Sequence, residues 1–219
     1  MVGVCNNLAF GKVDKDSDID LFIVAKSGRL FLVRIFVTLL FQVMGIRRHG
    51  DKVAGRFCLS FFVDEDRLDL SRIAIENDIY LALWIRTMEP VIDRGVMPKL
   101  IKENLWVRRY LGDGEMVFGK IVGSGGRLIN SRGFLNLLRG GFDWIYNGSF
   151  GNAVEGILRR WQMSRSRKKM EKADDRASLI VERHILKFHN VDRRAYYRDL
   201  WYKKYGSYEN VDLDRFCLL

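Results

Sequence analysis

The run Ser17-Asp18-Ile19-Asp20-Leu21-Phe22-Ile23-Val24 constrains this chain more than any other stretch, because it places two carboxylates at the start of a strongly apolar strand. Side chains alternate between the faces of a strand, so Asp18 and Asp20 point the same way, roughly 6–7 Å apart, while Ile19 and Leu21 point into a core. Two like charges held together on a rigid, half-buried strand raise each other's energy, and a divalent cation relieves them. The pair therefore reads as a magnesium site. The plainer alternative is an exposed acidic strand start, but acids seldom sit on core strands without partners.

A calcium loop is excluded. Asp14-Lys15-Asp16-Ser17-Asp18 opens with the spacing of an EF-hand, which then requires Gly at its sixth position and Glu at its twelfth. Those positions hold Ile19 and Ala25.

At 219 residues the chain is long enough for one large domain or two small ones, and with 48% hydrophobic residues it can bury a core, which excludes a disordered chain. The formal net charge of +10 favours anionic partners such as nucleotides, nucleic acid or acidic lipid headgroups. Cys5, Cys58 and Cys217 are odd in number and without paired spacing, which argues against a disulfide framework or a zinc module and suits the reducing cytoplasm. No apolar run follows a basic start, as a secretory signal would need. The one membrane-like stretch, Leu30 to Ile46, is interrupted by Arg34 and Gln42, so a buried helix is expected there rather than a span.

Along the chain, Asn6 to Gly11 is expected to form a helical turn or tight loop, and so little chain precedes the acidic strand that the domain is expected to be short of its N-terminal element. A helix from Leu30 to about Met44, apolar nearly all round, should be sandwiched in the fold. Phe57 to Val63 reads as a second strand, closed by a turn at Asp64-Glu65-Asp66. Ile73 to Met88 reads as a helix stopped by Pro90, and Lys99 to Leu111 as another. Gly112 to Gly126 holds six glycines and is the candidate linker. Beyond it, Phe134 to Tyr146, Ala153 to Lys172 and Arg193 to Tyr205 read as helices, and Ser178 to Phe188 is open between helix and strand. The expected fold class is α/β (α+β): a small mixed sheet over residues 1–111, then a mainly helical region over 112–219.

A small-residue turn, a short spacer and Ser17-Asp18-Ile19-Asp20-Leu21 on a hydrophobic strand together resemble the nucleotidyltransferase domain of the DNA polymerase beta superfamily. The resemblance covers roughly Val4 to Val63. Arg34 in its apolar helix and the strand from Phe57 to Phe62 resemble bacterial members of unassigned substrate. The likeness implies a magnesium-dependent transferase that moves a nucleoside monophosphate from an NTP, ATP among them, to an acceptor hydroxyl. It makes Asp18 and Asp20 the metal ligands and catalytic residues, with Asn6, Asn7 and Ser17 near the nucleotide phosphates. The superfamily's Gly-Ser pair falls on Asn6-Asn7, which keeps hydrogen-bonding groups but loses the close backbone approach of Gly. Its third carboxylate, on a neighbouring strand, is met here by Ser60, a poor metal ligand and no base at neutral pH. Asp64 or Asp66 would have to reach in from the strand end. These departures favour the alternative of a degenerate nucleotide- or RNA-binding protein of the same fold.

Other motifs carry less. Gly123 to Gly126 lacks the Lys and Ser/Thr of a phosphate loop. His184 and His189, five apart, do not share a helix face and read as structural. The basic run Arg159 to Lys172 is either a solvated helix face or a surface for nucleic-acid phosphates or anionic lipid.

Overall fold

The computed structural model describes residues 1–6, 8–9, 14–112, 148–170, 179–188, 192–211 and 213–216. The expected helix at 134–146 and the glycine-rich run after Gly112 lie outside them. Six strands, β1 (Val2–Cys5), β2 (Ile19–Ala25), β3 (Phe57–Asp64), β4 (Glu89–Ile92), β5 (Leu179–Val181) and β6 (Ile185–Phe188), form one mixed sheet in the order β4-β1-β2-β3-β6-β5. Only β2 and β3 are parallel. Their connection runs through helix α1 (Leu30–Val43), as a parallel pair requires. The other longer helices are α2 (Ile79–Thr87), α3 (Met97–Glu103), α5 (Ser149–Met170) and α6 (Arg194–Tyr205), with the short turns α4 (Arg108–Leu111) and α7 (Leu213–Phe216).

The alternation read from the acidic run organises both faces of the sheet. Leu21, Ile23, Phe62 and Leu186 face a core shared with Leu30 and Phe31 of α1, against which Leu158 and Met163 of α5 pack. Phe22, Val24, Phe61 and Val63 face the opposite core, with Leu81, Ala82 and Ile85 of α2, Met97 and Leu100 of α3 and Trp201 of α6. Phe22 stands edge-on to both Phe61 and Trp84, with centroids 5.1 and 5.3 Å away. The result is a helix–sheet–helix arrangement that buries the central strands on both sides.

Several elements depart from expectation for local reasons. The stretch Val2–Cys5 is a strand, paired with both β2 and β4, and the chain turns at Asn6 with a left-handed φ of 63°. Helix α2 starts at Ile79 rather than near Ile73, because Asp78 caps it by accepting from Leu81 N at 2.9 Å and also accepts from Ile75 N at 3.1 Å. Pro90 lies inside β4, an edge strand, where its missing N–H costs no ladder bond. The expected helix from Lys99 breaks at Asn104, whose buried side chain bonds Leu68 O, Leu70 N and Leu100 O. Helix α1 is not sandwiched. Its stripe Leu30, Val33, Val37, Phe41 packs on the sheet, while Leu39 and Val43 are 59% and 86% exposed among the described residues. The open stretch at 178–188 becomes β5 and β6, which extend the same sheet beyond β3. Among the described residues no helix is long and apolar enough to cross a membrane.

Candidate metal centre and its cavity

Asp18 and Asp20 do share a side of the strand start, as the alternation requires. Asp20 is buried at 8% exposure, and Asp18 is half-buried. What completes the group comes from β3. Asp20 stands opposite Cys58 in the parallel ladder, and carboxylate oxygens of Asp18 and Asp20 and the Cys58 Sγ all lie within 4.8 Å of one another. The ladder then slips. Asp20 pairs with Cys58 and Phe22 with Phe61, so β3 carries one extra residue, the signature of a β-bulge. The bulge leaves Ser60 lining the cavity and Phe61 packed in the core beside Phe22.

Each carboxylate has an anchor. The Asn6 side-chain amide donates to Asp20 Oδ2 at 2.8 Å, and Tyr80 donates its hydroxyl to Asn6 Oδ1 at 2.5 Å. The left-handed turn at Asn6 is what brings that amide back over β2. Arg48 donates to Asp18 Oδ2 at 2.6 Å. Burial raises the Asp20 carboxyl above its ordinary range, and the Asn6 bond opposes the rise without cancelling it. Burial, with the adjacent Asp20 charge, pushes the Cys58 thiol up to about 12, so it is protonated at neutral pH. The Tyr80 hydroxyl is likewise raised by burial.

Of the residues expected near the phosphates, Asn6 lines the cavity but turns its amide onto Asp20. Ser17 caps its own turn by accepting from Asp14 N at 3.0 Å and is not among the cavity-lining residues. Asn7 lies outside the described residues. Asp64 and Asp66 sit at the other end of the sheet. Asp64 pairs with Ala25, five residues beyond Asp20, about 16 Å along the strand. It accepts from Gly28 N at 3.1 Å and meets His184 Nδ1 at 3.4 Å, while Asp66 accepts from Ser27. No third carboxylate joins Asp18 and Asp20 among the described residues. His184 thus has the structural partner expected of it, and His189 lies outside the described residues.

Around this group opens a cavity of about 1340 Å³. It runs past the edge of β3 at Phe57–Ser60, where β6 supplies no partner among the described residues, its ladder beginning at Phe61. Arg34, Arg47 and Arg48 line it from α1 and the loop after it, Arg165 from α5, and Lys187 and Arg194 from β6 and α6. Arg165 is the one member of the basic run described as lining it, and Arg160 points to solvent. Cys58, Arg48 and Tyr80 were not expected at the centre. The only local signal was the β3 alternation, in which Cys58 and Ser60 share a side.

Comparisons with protein-family models, with curated proteins and with solved structures return no match to this chain. The fold and the site geometry therefore carry the functional reading.

Proposed function

We propose that the protein is a divalent-cation-dependent nucleotidyltransferase that moves a nucleoside monophosphate from an NTP to an acceptor hydroxyl. The observation that supports this best is the convergence of Asp18 and Asp20, in register with Cys58, at the wall of a large cavity lined by cations. The donor set fits magnesium at two positions. Magnesium takes one or two carboxylates and fills its remaining sites with water and phosphate oxygens, whereas the protonated thiol of Cys58 offers it no oxygen. Bound there, the cation would neutralise triphosphate charge and lower the pKa of an attacking hydroxyl. The chain's own part is positional. Asn6 fixes which Asp20 oxygen faces the cavity, Arg48 balances the Asp18 charge, and the cationic walls attract the nucleotide.

A second reading, binding of nucleotide or RNA without transfer, is favoured by one observation: the third donor is a protonated thiol where the superfamily carries a carboxylate. One experiment separates the two. The protein is incubated with magnesium and labelled NTPs over a panel of hydroxyl acceptors, alongside Asp20→Asn and Cys58→Asp. Transfer by the wild type that falls at least a hundredfold in Asp20→Asn supports the enzyme. Nucleotide binding without transfer, with transfer appearing only in Cys58→Asp, supports the degenerate protein. Transfer that survives Asp20→Asn sinks the assignment of these carboxylates.

A further inference from the structure

Six of the cations that line the cavity fall into two groups. Arg48 is paired with Asp18 at 2.6 Å, and Lys187 and Arg194 share Asp192 at 3.1 and 2.6 Å. Arg34 on α1, Arg47 in the loop after it and Arg165 on α5 line the limb of the cavity on the α1 and α5 side and meet no carboxylate among the described residues. Arg34 is the most built-in of them. Its Nη1 donates to Gln162 Oε1 at 2.9 Å, and its guanidinium lies over the Phe188 ring at 4.0 Å. Gln162 is 4% exposed and cannot turn away, because its own amide donates to Phe31 O at 3.0 Å. The guanidinium is therefore held flat and oriented. Of its five N–H donors, one is taken by a protein acceptor among the described residues. Burial, with Arg47 close by, draws its pKa down to about 10. A planar fork fixed this way is suited to a phosphate, which it can grip with two parallel bonds. At the mouth of the limb, the Arg165 guanidinium stands 5.9 Å from the ring of Trp161, which is 52% exposed.

This limb is not the place where Asp18 and Asp20 would hold a nucleotide's phosphates. Asp20 stands on the side of β2 that carries Phe22 and Val24 and faces α2. Arg34 belongs to the α1 and α5 layer on the opposite face, and the cavity, lined from both sides, runs past β3 at Cys58–Ser60. We propose that the limb on the α1 and α5 side is a second anion subsite, in which Arg34, Arg47 and Arg165 hold a phosphate of the acceptor, so that the acceptor is a phosphorylated molecule. The subsite stands on the geometry alone; its assignment to the acceptor rests on the transfer reading given above.

The test uses inorganic pyrophosphate, titrated calorimetrically into the full chain in EDTA. Without a divalent cation the two carboxylates repel phosphate, so binding reports the arginines. The wild type is expected to bind, and Arg34→Met to weaken binding at least tenfold. Arg165→Gln, at an exposed position, should weaken it several-fold and keeps the test valid if Arg34→Met does not fold. No binding by the wild type, or wild-type binding by Arg165→Gln and by a folded Arg34→Met, overturns the subsite. Magnesium and ATP are then added. Pyrophosphate and ATP bound together support the acceptor assignment, and one-for-one displacement overturns it by making the limb the nucleotide's own phosphate site. Pyrophosphate binding beside a complete failure to bind ATP would leave the subsite in place and remove the transfer reading.

Discussion

Asp20 is governed by a two-step relay, Tyr80 to Asn6 to Asp20, that fixes a buried carboxylate with neutral groups. Removing the far end tests the relay without touching a ligand. Tyr80→Phe loses one hydrogen bond, worth about 1 kcal/mol of stability, and frees the Asn6 amide. The Asp20 carboxyl should then rise further, and calorimetric titration with manganese should show affinity several-fold weaker, with the deficit growing as pH falls from about 7. The sign follows from the raised folded value of Asp20. Cation binding needs the carboxylate, so affinity is present above the folded pKa and is lost as pH falls through it. Stability moves the other way on this limb, because the folded protein takes up the proton before the unfolded chain does. An unchanged manganese affinity at every pH would show that the relay is idle. At this scale the sequence was legible where chemistry is local: Asp18 and Asp20 share a side because the strand period is two. Cys58, Arg48 and Tyr80 were not legible, because strand register, a bulge and a left-handed turn bring them in from 30 to 60 residues away.

Helix α1 has no cap of its own, since Arg29 makes no side-chain capping bond. Its first amides are served by Glu155 of α5, whose carboxylate accepts from Phe31 N at 3.0 Å and Leu32 N at 2.8 Å. A carboxylate at a helix start is favoured by the orphan amides and by the dipole. Glu155→Ala should lower stability by about 1–3 kcal/mol, read as a shift in the thermal midpoint, and loosen α5 from α1. Asp192 ties three elements together in the same way, holding Lys187 of β6 and Arg194 of α6, while Arg194 reaches the α2 cap Asp78 at 3.1 Å. Burial alone would raise the Asp192 carboxyl, but the Arg194 bonds and the Lys187 charge outweigh it and hold it well below the carboxylate range. Its contribution is therefore complete above the ordinary carboxylate pKa and is lost as pH falls through the depressed folded value. Asp192→Asn leaves two buried cations under-paired and should cost about 3–5 kcal/mol, with the acid limb of the stability profile flattened. Elements with strong periodicity, α1, β3 and α6, were legible in the sequence. Strands β1, β4 and β5 were not, being three or four residues long, too short for a pattern and defined by their neighbours in the sheet.

The whole molecule is closed by chain that comes late in the sequence. Composition and the acidic strand pointed to a small sheet in the first half and helices after it, yet the six-stranded sheet draws β5 and β6 from beyond residue 178. Pairing across such a separation leaves no local trace, since loop-closure entropy grows only slowly with length and places no demand on the intervening residues. The late segments supply more than two strands. They cover the edge of β3 at Phe61–Val63, cap α1 through Glu155, place Trp201 at 1% exposure in the core with α2, and supply 10 of the 29 residues that line the cavity. A fragment ending at Leu111 would expose apolar surface on both faces of the sheet and a bare edge on β3, the conditions under which strands pair with other chains. It is expected to show no cooperative thermal transition and to aggregate, whereas the full chain unfolds in one transition. Fragment and full chain can be compared by circular dichroism melts and by dispersion of their amide NMR spectra. A soluble fragment with a sharp transition and a dispersed spectrum would mean that residues 1–111 hold the fold alone and that the late strands are additions to it.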